Sequence, residues 1–189
     1  MGKPLPGTAV GFLRGDGTPA PAGEPGELAI RLPNPQVMLG YRQEPEKTAA
    51  AKVAVDGVEY WRTGDIVRRD ADGYLYYEGR ADDVINSAGY RIGPMEVENA
   101  LAEHAAVQEA AAVASPDPER GEVVKAFVVL RAGSTPSDAL ARDLQEHAKR
   151  VTAPYKYPRK IEFVAELPKT ASGKLRRRLL RDREFGRGG

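Results

Sequence analysis

GRADDVINSAGYRIG, Gly79 to Gly93, is the stretch on which the reading of the fold turns, because the chain changes texture across it. Upstream, from Thr8 to about Arg80, short apolar runs alternate with turns: AVGFL, GELAI, VMLGY and the pair flanking DADG (Asp70 to Gly73) that leads into YLYYEGR. These read as strands and hairpins, with Asp72-Gly73 as a tight-turn signal and Tyr74 and Tyr76 in a half-buried strand. One helical insert is expected at Pro45 to Val53, where proline suits a first helical position. Downstream the pattern becomes α/β. Pro94 opens a helix with Met95, Val97 and Leu101 on its apolar side, and Val107 to Ala114 and Val123 to Leu130 read as buried strands. A further helix is expected from Thr135-Pro136, with Leu140, Leu144, Ala148 and Val151 on one face. Lys160 to Val164 is a last strand, and the tail from Lys174 is a basic amphipathic helix. The whole is an α+β chain, β-rich first and α/β second, and the junction itself is expected to be too polar for core.

Composition narrows the function classes. The 189 residues can bury a core in more than one domain. Lys and Arg number 28 against 27 Asp and Glu, a formal charge of +1, so no global basic field marks a nucleic-acid binder. The absence of cysteine excludes disulfides, thiolate metal sites and a cysteine nucleophile. No apolar run approaches the roughly 20 residues of a membrane span, and Pro6 stands where a myristoylation signal needs Ser or Thr. The chain reads as soluble and cytoplasmic, with no membrane and no nucleic acid among its partners. His104 and His147 are too isolated in sequence to argue zinc and are expected on helix surfaces.

Three polar motifs carry candidate chemistry. In WRTGD, Trp61 to Asp65, a carboxylate with two acceptor oxygens suits the vicinal hydroxyls of a ribose, although Thr-Gly-Asp is also an ordinary turn. In the junction, Arg80 reads either as a solvated partner of Asp82 or Asp83 or as part of a site, and Gly89 and Gly93 permit close backbone approach. LPKTASGK, Leu167 to Lys174, is no nucleotide P-loop, because Leu175 stands where Ser or Thr must follow the lysine. It is a Ser-Gly turn that either projects one cation for chemistry between a carboxylate and a phosphate or simply heads a basic helix.

In this order, WRTGD, GRADDVINSAGYRIGPMEVENAL, PDPERGEVVKAFVVL, APYKYPRKIEFV and LPKTASGK together resemble the C-terminal part of the adenylate-forming enzymes, from about Gly2 to the tail. The wording INSAGYRIGP, PDPERGEVVKAF and APYKYPRKIEF is most similar to that of the medium-chain acyl-CoA synthetases. The resemblance implies a β-rich end of a large domain over residues 1–81 and a mobile small domain over 82–189, with the hinge near Asp82. It implies a two-step ligation of a carboxylic acid to coenzyme A (CoA) with ATP, and Mg accompanying the ATP. By the same resemblance Asp65 holds the ribose and Arg80 contacts the nucleotide, Lys174 is the catalytic lysine of adenylation, and Ala88, Gly89, Tyr90, Arg91 and Arg120 take CoA. The phosphate loop and the acid pocket of the large domain are not among the motifs present, so the polypeptide alone is expected to be inactive and to need that domain as a partner. A noncatalytic CoA- or AMP-binding module is the alternative, as is a ligase for acetate or an aryl acid.

Overall fold

The computed structural model describes residues 1–186 and divides into two compact units after Asp82. The far end of the expected small domain, residues 187–189, lies outside the described residues.

The first unit is an antiparallel sheet of β1 (Val10–Leu13), β2 (Gly26–Arg31), β3 (Lys52–Val55), β4 (Val58–Arg69) and β5 (Leu75–Arg80), in the order β1-β2-β4-β3 with β5 also on β4. The 12 residues of β4 make it the spine. Its first residues pair with β3, its middle with β2 and its end with β5. Leu28, Val67 and Leu75 form the buried core, with Val10 and Phe12 packed on it. The register shift at Glu27/Ala29 sets Thr63 to Asp65 opposite the single residue Leu28, a second shift follows at Ile66/Val67, and such bulges turn a strand's side chains out of strict alternation.

Three expectations are corrected here. Val37 to Tyr41 is no strand: Pro33 and Pro35 lack amide donors for a ladder, and the Val37 amide instead closes a turn on the Asn34 carbonyl at 3.1 Å, with Leu39 wholly exposed. The helix α1 (Pro45–Ala50) stops short of Val53, which pairs with Tyr60. Asp56 and Gly57, with φ of 49° and 77°, make the two-residue turn that brings β3 back onto β4. The β4–β5 connection is a three-residue loop rather than a two-residue turn. The Asp70 amide donates to the Tyr74 carbonyl at 3.1 Å, Gly73 takes φ 85°, and Tyr74, Tyr76 and Tyr77 are all exposed.

In the second unit, β8 (Val107–Asp117) and β9 (Gly121–Leu130) form an antiparallel pair, and β10 (Lys160–Phe163) adds to β9 in parallel after the crossover helix α3 (Asp138–Val151). Side chains on alternate positions of this three-stranded sheet enter different cores. Ala112, Ala114, Val124, Ala126 and Val128 join Val97 and Leu101 of α2 (Pro94–Ala102) and Leu144 and Ala148 of α3. Ala111, Val113, Phe127 and Val129 join Leu167 and Leu180, the latter on α4 (Arg177–Glu184). Cover on both faces is why β9 reads as a nearly continuous apolar run.

The junction is less polar in structure than in sequence. A single 3-10 turn at Ala81–Asp83 leads into a hairpin of β6 (Ile85–Ser87) and β7 (Tyr90–Ile92), and Ile85 and Ile92 are fully buried against α2 and the sheet. The expectation that this stretch stays out of the core is therefore corrected: Ile85, Ser87 and Ile92 are buried, while Asn86 and the turn from Ala88 to Arg91 are exposed. α3 begins at Asp138 rather than at Pro136, because the Ser137 hydroxyl caps it, accepting from the Leu140 amide at 3.1 Å.

Candidate functional site

Asp65 and Arg80 face each other across β4 and β5 in direct register. The Arg80 guanidinium donates to Asp65 Oδ1 at 3.1 Å, to the Thr63 carbonyl at 2.9 Å and to Asp82 Oδ1 at 3.3 Å. Burial works against its charge, but Asp65 and Asp82 outweigh that, and the net direction of its pKa is upward. Gly64 makes this arrangement possible. Its φ is 76°, and a Cβ there would lie within 2.4 Å of an Arg80 guanidinium nitrogen.

Beneath this pair sits Glu27, a buried carboxylate in an otherwise apolar stretch of β2. It accepts from the Arg62 guanidinium at 3.0 and 2.5 Å and from the Gly64 amide at 3.1 Å. A buried charge is tolerated only when so satisfied. Glu27 thus ties the backbone of the glycine to β2, and motif reading missed it. An acid inside the run GELAI was the available signal.

In the second unit the hairpin turn is Ala88-Gly89, with φ of 49° and 83°. A Cβ at Gly89 would meet nothing within 4 Å, so backbone conformation rather than crowding demands the glycine. Ala88, Gly89, Tyr90 and Arg91 are all exposed. The Tyr90 ring stacks on Tyr155 at 4.2 Å between centroids. Arg120 stands apart at the tip of the β8–β9 hairpin, where its amide donates to Asp117 Oδ1 at 3.0 Å and its side chain is exposed.

Lys174 closes a self-contained turn. The Thr170 amide donates to the Lys174 carbonyl at 2.8 Å, the Lys174 amide to Thr170 Oγ1 at 3.0 Å, and Gly173 takes φ 81°. The serine and glycine are thus explained by local geometry: Ser172 bonds Thr170 at 2.9 Å, Gly173 supplies the left-handed residue, and the lysine is exposed. Three residues later α4 begins, and carboxylates tie it to α2, the 3-10 turn and the sheet. Glu98 accepts from the Arg177 guanidinium at 3.0 and 2.6 Å and from the Ala112 amide at 2.9 Å. Arg177 and Arg181 each lie 3.9 Å from Asp83. At the other end Glu184 takes Lys125 at 2.6 Å and the buried Ser115 hydroxyl at 2.8 Å, and Lys125 also reaches Glu162 at 2.8 Å. Burial pulls the Lys125 pKa down, but Glu162 and Glu184 outweigh it and the net shift is upward. Burial likewise raises Glu162, but Lys125 and Arg183 outweigh that, and its carboxyl is held below the usual range. The basic look of the tail in sequence therefore conceals internal pairing.

His104 and His147 are corrected in one respect. Only His147 is on a helix, α3; His104 lies in the turn after α2, and the rings meet edge to face at 5.2 Å. His104 Nε2 bonds Asp143 at 3.1 Å and His147 Nε2 bonds the Ala100 carbonyl at 3.0 Å. Among the described residues no group of three or more His, Cys, Asp or Glu side chains could hold a metal, and no helix is long and apolar enough to cross a membrane.

Comparison with known proteins adds three findings. Residues 96–174 match the AMP-binding enzyme C-terminal domain. Over 192 residues the chain is 54% identical to the mitochondrial acyl-coenzyme A synthetase ACSM5 of Homo sapiens, covering 99% of this chain and 32% of that protein. It is 50% identical over 184 residues to the uncharacterized acyl-CoA ligase YtcI of Bacillus subtilis (strain 168), covering 97% of this chain and 34% of that one. Among solved structures, the anthranilate CoA ligase AuaEII in complex with anthranoyl-AMP superposes with a TM-score of 0.81 at 40% identity, over 96% of this chain and 34% of that one. The chain spans about a third of the length of the curated relatives it matches.

Proposed function

We propose that this chain, which belongs to the adenylate-forming acyl-CoA synthetases as their C-terminal part, serves an ATP-dependent carboxylic acid:CoA ligase acting on a medium-chain fatty acid. The observation that carries the reading is the identity of 54% with an acyl-coenzyme A synthetase across almost the whole chain. The wording of INSAGYRIGP and APYKYPRKIEF supports the medium-chain assignment.

The reaction runs in two steps. A carboxylate oxygen attacks the α-phosphorus of ATP and pyrophosphate leaves, giving an acyl adenylate; the CoA thiol then attacks the acyl carbon and AMP leaves. Asp65 accepts hydrogen bonds from the ribose hydroxyls, and Arg80, already set against it at 3.1 Å, reaches the ribose and phosphate edge. Lys174 stabilises negative charge between the carboxylate and the α-phosphate as it builds on the entering and leaving oxygens. A lysine suits that task as a point charge on a long stem. For the second step Ala88, Gly89 and Tyr90 lend backbone to the pantetheine arm, while Arg91 and Arg120 pair with CoA phosphates. Rotation of the second unit about Asp82 exchanges one face for the other. Magnesium arrives with ATP: the described residues offer it no ligand cluster, and no step here passes through it. The polypeptide by itself is inactive and needs the large domain, or a subunit supplying it, as partner.

The test is ATP–pyrophosphate exchange and thioester formation with acids from acetate to decanoate and benzoate. Both are measured on the chain alone and on the chain grafted in place of the matching third of the Bacillus subtilis relative. Exchange and thioester formation by the graft, both absent from the chain alone, support the ligase reading; the acid that the graft prefers reports the relative's own pocket. A correctly folded graft that neither exchanges nor forms thioester would overturn it.

A further inference from the structure

The turn at Ala88-Gly89 presents an energetic problem. Ala88 carries a Cβ yet sits at φ 49°, a region that L-residues other than glycine occupy only when their surroundings enforce it. On the inner side the hairpin is enforced by Ile85 and Ile92, both fully buried, but these are paired with each other at the base of the two strands, away from the tip. At the tip, Ser87 pairs with Tyr90, and Tyr90 is half exposed. What meets Tyr90 from outside is Tyr155, at 4.2 Å between centroids and only 20° between planes.

Tyr155 comes from the segment between α3 and β10, and that segment is itself held firmly. Its neighbour Lys156 pairs with Glu96 of α2 at 2.7 Å, the Lys156 amide donates to the Ala153 carbonyl at 2.9 Å, and the Arg159 amide donates to the Val124 carbonyl of β9 at 2.8 Å. Tyr155 is 41% exposed and Tyr90 50%, so removal of apolar surface from water is a poor reason for either ring. The stack is directional, and it fixes the residue that follows Gly89.

We propose that Tyr155 is a positioning residue for thioester formation: stacked on Tyr90, it holds the Ala88-Gly89 turn in the left-handed shape past which the thiol arm of CoA is threaded. This deepens, and rests on, the assignment of Ala88 to Tyr90 to CoA made above. Tyr155 acts through Tyr90 and takes no part in adenylation, which depends on Lys174.

The experiment uses the active graft and reads the two half-reactions separately. Tyr155→Ala is expected to raise KM for CoA about 3- to 10-fold, the range of one aromatic pair, with ATP–pyrophosphate exchange unchanged. Tyr155→Phe is expected to behave as the parent, since stacking needs the ring and not the hydroxyl. Unchanged exchange in Tyr155→Ala also shows that the unit is folded. An unaltered KM for CoA, an equal loss in both half-reactions, or a Tyr155→Phe as impaired as Tyr155→Ala would each overturn the proposal. Gly89→Trp separates the two levels. If it blocks thioester formation while Tyr155→Ala does nothing, the positioning role falls alone; if Gly89→Trp is also without effect, the CoA assignment falls and takes the positioning role with it.

Discussion

Asp65 and Lys174 are held by opposite means. Asp65 sits in the middle of a strand paired on both sides, next to a glycine whose amide is bonded to a buried carboxylate. Lys174 sits in a turn whose own hydrogen bonds are local, and its links to the sheet run through the segments on either side: Leu167 and the Lys169–Glu109 pair before it, and the arginines and leucine of α4 after it. A strand-held carboxylate resists small changes at its periphery, whereas a turn-held lysine inherits its position from the anchoring of the segments on either side, α4 among them. Under the proposed function, that difference suits a carboxylate assigned one contact throughout and a lysine assigned to the first step alone.

The largest expected effect comes from removing the lysine itself. In the active graft Lys174→Ala should lower exchange by about 10²-fold or more, the scale of losing one positioned charge at a transition state, while thioester formation from supplied acyl adenylate survives. Equal loss in both steps would erase the functional contrast between the two regions. Next is the anchor of α4. Glu98→Ala leaves Arg177 and the Ala112 amide without their shared acceptor and should cost about 2–3 kcal/mol in urea unfolding of the second unit, the penalty for stranding a largely buried polar partner. A loss confined to the surface scale of under about 1 kcal/mol would mean that Leu180 and the contacts of Glu184 and Arg183 dock the helix without Glu98.

On the strand side, Gly64→Ala forces a Cβ into the left-handed region and into the Arg80 guanidinium. The expected cost is about 1–2 kcal/mol, together with a raised KM for ATP in exchange assays of the graft. Unchanged ATP dependence would show that the Asp65–Arg80 pairing is dispensable to the nucleotide.

The smallest effect is with pH. Because Glu162 titrates below its unfolded value, its contribution is complete above the ordinary glutamate pKa of about 4.3 and is lost as pH falls through the lower folded value. Relative to the intrinsic rate at each pH, hydrogen exchange of α4 amides should therefore quicken on acidification below that pH sooner than exchange of β4 amides. Parallel quickening in both would remove this part of the contrast.

How much of this was legible beforehand depended on the range of the interaction. α2 begins at Pro94 as read, because proline at a first helical turn is a local matter. β8 and β9 lie where their apolar runs put them. Val37 to Tyr41 looked like a strand on composition, but a strand needs a partner, and none is offered beside two prolines. The Gly79 to Gly93 stretch looked too polar because its two core isoleucines are spaced seven residues apart on opposite arms of a hairpin. Of the candidate residues, the sequence words nominated Asp65, Arg80 and Lys174; Glu27 stands in no such motif, and Glu98 and Tyr155, though inside MEVENAL and APYKY, had no signal of their own for the partners they meet.

The order of short motifs was enough, by itself, to bring out the resemblance to the adenylate-forming enzymes, and local pattern was enough for the two textures of the chain and most of its helices and strands, since each depends on residues within a few positions of one another. Only the tertiary structure decided that Arg80 lies over Gly64, that the tail's arginines are paired internally, and that Tyr90 meets Tyr155. Those contacts join residues 16, 79 and 65 positions apart in the chain. Side-chain periodicity tells which face of an element is buried; it does not tell which partner arrives to bury it.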